Sequence, residues 1–314
     1  MAKLFLNPNL PDYFVAAPDV TSAATARSCV DDYEAAKVIH FPNLKPAIDH
    51  EFWGSLDTDK YAALKKFGID LSPGFDNLHQ HRERMLREQM DKAAAKTICD
   101  QMKRVYDLML PVYLGIFGNY SFDRRKVMWR LNTIMAENMH VDTYKGEVEH
   151  HFARMFVNLD TQPRIWHTSW RIEDMMARAK GTIPPEELEG LPLGAVWSKL
   201  NFSFFGKNSR EWWDDQPRHI AFFAPGDVWA VDSRQVAHQI FYGRRALSID
   251  FYVPKEDMKS PELHYLTLAE RFRDENRASR QLPDDRAEAS RPSAPSRRNR
   301  RVRWLRASPL PRAT

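Results

Sequence analysis

Two residues in the stretch Asn138–Trp170 could do metal chemistry together, His140 and Asp142. Successive side chains of a β-strand point to opposite faces, so in a strand these two would share a face, with Met139, Val141 and Thr143 on the other. An imidazole beside a carboxylate is two-thirds of a facial triad, the ligand set that holds Fe(II) and leaves coordination positions open. The third ligand would be a distant histidine on another strand. His238, in VAHQIFYGRRALSIDFYVP, is the best placed. The short motif alone is also what an ordinary strand with a polar face carries. His79 and His81 are a second pair two residues apart. They could bind a metal, but two solvated loop histidines explain them as well.

The next segment, Phe152–Leu159, alternates along its length. Ala153, Met155, Val157 and Leu159 form one face, and Phe152, Arg154, Phe156 and Asn158 the other. An arginine in mid-strand is costly to bury without a partner. A planar guanidinium suits a carboxylate, so an anionic cosubstrate is a natural partner for Arg154. An outer strand with its arginine in solvent would show the same pattern.

These residues carry a family resemblance. HVD, ARMFVNLD, PRIW and the later FAPGDVW and SRQVAH, taken in order, resemble the Kdo hydroxylases. Those are Fe(II)/2-oxoglutarate dioxygenases acting on the lipopolysaccharide sugar 3-deoxy-D-manno-oct-2-ulosonic acid. The likeness extends upstream through LMLPVY and NYSF and covers residues 34–254. It implies that His140, Asp142 and His238 are the metal ligands. It also implies that Fe(II), 2-oxoglutarate and O₂ are the cofactors. Arg154 looks like the strand arginine that contacts 2-oxoglutarate in aspartyl/asparaginyl β-hydroxylases. Many 2-oxoglutarate oxygenases instead keep that arginine on the last strand, where this chain has Ser248. Arg244 and Arg245 come earlier, in the turn. The cosubstrate candidates are therefore Arg154 first, then Arg164, Asn158 and Arg245.

The elements that must position these residues follow from periodicity. Lys37–Phe41 reads as a short strand, with short helical patterns over Asp49–Leu56 and Asp59–Phe67 and a turn at Ser72-Pro73-Gly74. Arg84–Leu114 repeats apolar residues every three or four positions, the mark of a helix packed on a sheet, with Pro111 expected to disrupt or kink its last turn. From Lys126 the period changes to two. Val127–Ile134, the His140 segment, Phe152–Leu159, Pro163–His167, Ile220–Phe223, Val228–Val231, the stretch to His238 and Ala246–Val253 read as strands. Trp170–Lys180 reads as a helix. The expected fold is mainly β with flanking helices, a double-stranded β-helix of the cupin-like jelly-roll kind. Residues 181–217 form an insert before the last strands, with Trp197, Phe202, Phe204, Phe205, Trp212 and Trp213. Such rings could stack on a sugar at the mouth of a barrel or cap it as core.

Composition bounds the rest. The chain has 314 residues, 43% hydrophobic and 12% aromatic, enough for one large globular domain over 34–282 after a loosely ordered lead-in over 1–33. Two cysteines, Cys29 and Cys99, offer no disulfide framework and suit a reducing compartment. No window approaches the ~20 apolar residues of a membrane span. Residues 283–314 hold nine Arg and three acidic residues, a charge of +6, whereas the whole chain is +4. The pI of 8.9 is thus a property of this tail. It is expected to be disordered, and either idle or drawn to anionic lipid. No specific nucleic-acid binding is expected. The resemblance implies a cytoplasmic enzyme, peripheral at the inner membrane, that hydroxylates Kdo on lipid A or lipopolysaccharide core, most simply at its 3-position. A hydroxylase of an amino acid or peptide, or a non-enzymatic cupin-like metal-binding protein, stays open beside it.

Overall fold

The structure is a computed structural model that describes residues 2–17, 19, 22–58, 60, 66–70, 83–122, 124–131, 134–135, 138–142, 149–206 and 215–281. His79, His81, the turn at Ser72, Trp212, Trp213 and the basic tail lie outside the described residues.

Two sheets dominate. The larger has seven strands in the order β2 (Phe14–Ala16), β3 (Val38–His40), β10 (Val228–Ala230), β7 (His150–Asn158), β12 (Ala246–Pro254), β5 (Arg124–Arg130) and β4 (Lys66–Asp70). The smaller has five, in the order β1 (Lys3–Phe5), β9 (His219–Phe223), β8 (Arg164–Arg171), β11 (Val236–Gly243) and β6 (Ile134–Met135). All pairings are antiparallel except β2 with β3. Helices α1 (Ala23–Glu34), α2 (His50–Ser55), α3 (Lys92–Phe117), α4 (Ile172–Ala179), α5 (Leu193–Phe205) and α6 (Tyr265–Gln281) flank them.

Alternation explains why the sheets stack as they do. The apolar face of β7, with Met155 and Val157, and Leu247, Ile249 and Phe251 of β12 pack with Ile98, Met102, Val105 and Met109 of α3. Each buried side chain of this kind contributes about 1.5–3 kcal/mol. Asp91 caps α3 by accepting from the Ala94 amide at 2.9 Å. The opposite face of β7 turns inward, where Phe156 joins Trp166, Trp229, Phe223 and Ile240 between the sheets. A third cluster unites α4, α5 and α6 around Trp197, Met175 and Leu268, and includes Met139 and Val141 beside the His140 segment.

Several expectations change. Residues 1–33 are not a loose lead-in: they supply β1, β2 and most of α1, with Ser22 capping α1 and Tyr33 fully buried. Their strands are three residues long, too short to show a period. Lys66 and Phe67 lie in strand β4, where a helical pattern was expected. Helix α3 runs through Pro111 to Phe117, since proline removes one donor but the flanking turns stay packed on the sheet. The His140 segment is not a full strand: His140 forms one isolated antiparallel bridge with His238. Helix α6 closes the described chain where no element was expected.

Candidate metal centre

The backbone of His140-Val141-Asp142 is held by three separate elements. His140 and His238 exchange amide–carbonyl hydrogen bonds at 3.0 and 2.8 Å, which sets the two imidazoles side by side. The Val141 amide donates to the side-chain oxygen of Asn201 on α5 at 2.8 Å. The Asp142 amide donates to the Ser233 carbonyl at 2.7 Å. An irregular segment thus has every amide satisfied, and the pairing expected of a strand is replaced by three fixed anchors.

The side chains converge. Ligand atoms of His140, Asp142 and His238 all lie within 4.8 Å of one another. His140 Nδ1 lies 2.8 Å from the Asn138 carbonyl and His238 Nδ1 lies 3.0 Å from the Val236 carbonyl. A carbonyl only accepts, so each Nδ1 carries the proton and each Nε2 keeps its lone pair for a ligand. The Trp166 ring stacks on His238 at 5.3 Å and 19°, fixing its plane. Burial, and then His140, holds the His238 pKa down to about 3. Burial alone would raise the Asp142 carboxyl, but the neighbouring His140, Arg154 and His238 overcome it and hold the group well below the ordinary carboxylate range. At neutral pH the set therefore offers a neutral imidazole in His238 and an ionised carboxylate in Asp142. Those are the forms a divalent cation binds, so the donor set fits a facial-triad metal.

A pocket of about 260 Å³ opens on these atoms, lined by Arg130, Asn138, Arg154, Phe156, Trp166 and Ile240 besides the three converging residues. Of the four cosubstrate candidates, Arg154 alone lines it. Its Nε donates to Asp250 at 2.7 Å and its Nη1 to Asp142 at 2.6 Å and to the Ser233 hydroxyl. Both two-pronged edges of the guanidinium thus have a donor already committed. Asn158 shares its face but is deeper, bonded to the carbonyls of Gln162 and Phe223 and to the Asp160 amide. Arg164 is buried at the start of β8 with its guanidinium close against Gly243. Arg245 pairs with Asp160 at 3.5 Å and donates to the Leu56 carbonyl, away from the pocket. Of the aromatic residues of the insert, Trp197 and Phe205 are core, whereas Phe202 is exposed.

Sequence reasoning missed Arg130, Asp250 and Ser233. The first two carried a signal. Val127 and Trp129 are buried in the outer core, which leaves Lys126, Met128 and Arg130 on the opposite face of β5. Asp250 stands directly opposite Arg154 across the β7–β12 ladder. Ser233 sits in an irregular turn and had no periodic signal.

No family model matches the chain, and no curated protein sequence matches it. Solved structures do. A Kdo hydroxylase KdoO, described as a non-haem Fe(II) α-ketoglutarate-dependent dioxygenase in complex with cobalt(II), aligns with a TM-score of 0.63 at 17% identity, over 82% of this chain and 95% of that one. The chain shares the fold of KdoO. The KdoO complexes with α-ketoglutarate and Fe(III), and with succinate and Fe(III), align equally well, each with a TM-score of 0.63 at 16% identity. The likeness spans nearly the whole of KdoO and most of this chain.

Proposed function

We propose that the protein is an Fe(II)/2-oxoglutarate-dependent dioxygenase that hydroxylates a sugar, with His140, Asp142 and His238 holding the iron. The observation that carries this reading is the convergence of two imidazoles and one carboxylate on a pocket, in a chain with the KdoO fold. In this reading the two sheets form a double-stranded β-helix, and the strands before residue 34 join the elements up to Gln281 in one catalytic unit. Bound there, Fe(II) with 2-oxoglutarate and O₂ supplies the oxidative chemistry, one oxygen atom passing to the substrate and the other to succinate.

The chain's own part is orientation and exclusion of water. The paired bridge His140–His238 and the two Nδ1–carbonyl bonds hold the imidazoles, and buried Trp166 and Phe156 keep one wall dry. The carboxylate end of 2-oxoglutarate meets the cationic wall made by Arg130 of β5 and Arg154 of β7. The preferred substrate is Kdo on a lipid A precursor or lipopolysaccharide core, hydroxylated at its 3-position; that KdoO is a Kdo hydroxylase supports the sugar class. That substrate and the two free, buried cysteines favour a cytoplasmic protein peripheral at the inner membrane. No helix among the described residues is long and apolar enough to cross a membrane.

Two measurements test this. Anaerobic addition of Fe(II) and 2-oxoglutarate should produce a visible charge-transfer band, and its absence would overturn the dioxygenase reading in favour of a cupin-like binding protein. Succinate release should then rise with a Kdo-bearing lipid A precursor. A rise with peptides or free amino acids instead would move the substrate to that class.

A further inference from the structure

Asp142 does not present its two oxygens equally. Oδ2 accepts from Arg154 Nη1 at 2.6 Å and from the Ser233 hydroxyl at 2.6 Å. Oδ1 instead lies 3.6 Å from His140 Nε2. The carboxylate is therefore fixed about its own bond, with one oxygen engaged by protein and the other turned toward the histidines. Ser233 acts twice, since its carbonyl also takes the Asp142 amide at 2.7 Å.

Arg154 is in turn held from behind. Asp250, directly across the β7–β12 ladder, takes its Nε at 2.7 Å, and the Ser248 hydroxyl reaches the other Asp250 oxygen at 3.4 Å. The guanidinium lies between the rings of Phe152 and Phe156, 5.7 and 5.9 Å from their centroids. The Arg154 amide donates to the Tyr33 hydroxyl at 2.9 Å, and that hydroxyl donates to the Phe152 carbonyl at 2.6 Å. Arg154, Ser233 and Asp250 are 7%, 3% and 3% exposed, so little solvent competes for these bonds.

The charges close in a particular way. A lone guanidinium on a metal-binding carboxylate would neutralise the charge that attracts the cation. Here the second carboxylate, Asp250, offsets Arg154 and leaves the Asp142 charge for a divalent ion. We propose that Arg154 is a positioning residue for Asp142: with Ser233 it fixes a single carboxylate oxygen toward the histidines, while Asp250 offsets its charge. This rests on the metal reading above and assigns Arg154 a task apart from the cosubstrate. It also gives Ser248 a place, as support for Asp250 on the strand where relatives keep an arginine.

The test is titration of Co(II) into metal-free protein, read by the visible d–d spectrum and by affinity, without 2-oxoglutarate. Ser233→Ala and the isosteric Asp250→Asn should each weaken Co(II) by about 10–100-fold, the usual effect of losing a partner of a metal ligand. Arg154→Met should change the d–d spectrum, because the released oxygen becomes available to the metal. Arg154→Lys should not restore it, since a point charge cannot bridge three partners. If Arg154→Met fails to fold, the two milder variants carry the test. Should wild type bind Co(II) while Ser233→Ala and Asp250→Asn match it in affinity and spectrum, the positioning role is overturned and the metal reading stands. Wild-type protein that binds no Co(II) would overturn both.

Discussion

The turn Asp232–Gln235, between β10 and β11, serves two clusters of histidine and aspartate. On one side Ser233 reaches Asp142, beside His140 and His238. On the other, Asp232 Oδ2 lies 3.5 Å from His151 Nδ1, with His264 and Arg234 nearby. The residue types match, but the surroundings do not. His151 faces the edges of the Tyr33 and Tyr120 rings at 5.5 and 5.9 Å, and the Arg234 guanidinium lies over Phe152 and Tyr265 at 3.6 and 4.4 Å. His151 and His264 are 2% and 1% exposed. Among the described residues, only His140, Asp142 and His238 bring their ligand atoms within 4.8 Å of one another, and theirs is the cluster that opens on a pocket. Convergence of lone pairs on an open volume, not residue type, separates a candidate metal site from a buried polar support.

The sharpest way to break this contrast is to remove one histidine from each cluster. His238→Ala takes away one of three ligands and should lower Co(II) affinity by more than ~10³-fold, since each ligand in such a site carries several kcal/mol. His264→Gln should leave Co(II) affinity at the wild-type value. Equal losses in both variants would mean that the sealed cluster feeds the metal, and the distinction drawn here would fall.

Much of this was legible before the fold was known, and the reasons differ by residue. Alternation along β7 grouped Arg154 with Phe156 and Asn158 on one face because it is a local property of the chain, and the packing of the two sheets turns that face inward. The spacing of His140 and Asp142 also held its meaning, though by another route. Their shared face comes from anchors on Asn201, Ser233 and His238, which are distant in sequence and leave no pattern in the HVD segment itself. Ser233 was invisible for the same reason. Arg245 and Asn158 lie off the pocket, and an arginine or amide near a motif carries no sign of which buried carbonyl it answers. Arg245 stabilises the Leu56 carbonyl and Asp160, and Asn158 holds a turn around Asp160 and Gln162. Helix α6 escaped notice because its exposed face is dominated by Arg271, Glu275 and Arg277, which pair with one another or with Glu173, Lys180 and Glu189.

A second contrast lies among the arginines. Truncating the partner of a buried carboxylate costs roughly 2–5 kcal/mol, so Arg130→Ala with metal bound should weaken 2-oxoglutarate by about 30- to 3000-fold. Arg154→Ala should weaken it as well, and should alter the Co(II) spectrum too. Arg245→Ala should bind 2-oxoglutarate as wild type does, because its partners lie outside the pocket. If titration shows the loss at Arg245 and none at Arg130, the cosubstrate lies near the β11–β12 turn and the cationic wall proposed here has another purpose.

The smallest effect concerns acid stability and separates the clusters by proton count. Burial, and then Arg234, holds the His151 pKa down to about 3. Burial, and then His151, holds His264 at about 3 as well, against an opposing pull from Asp232. An unfolded histidine titrates near ~6.5. Above that value both states are neutral and the fold carries no penalty. As pH falls from about 6.5 toward about 3, the unfolded chain takes up a proton on each residue that the folded chain refuses, so stability falls by up to ~1.4 kcal/mol per pH unit for each histidine. Urea unfolding between about pH 5 and 6.5 should show the slope directly. His151→Gln and His264→Gln cannot titrate, so each should flatten the slope by up to one proton. Saturating Co(II) should leave the share of the sealed pair unchanged, because neither of its histidines reaches the metal pocket. A slope that ignores both substitutions would mean that His151 and His264 protonate freely in the fold, and that the second cluster is less sealed than its packing indicates.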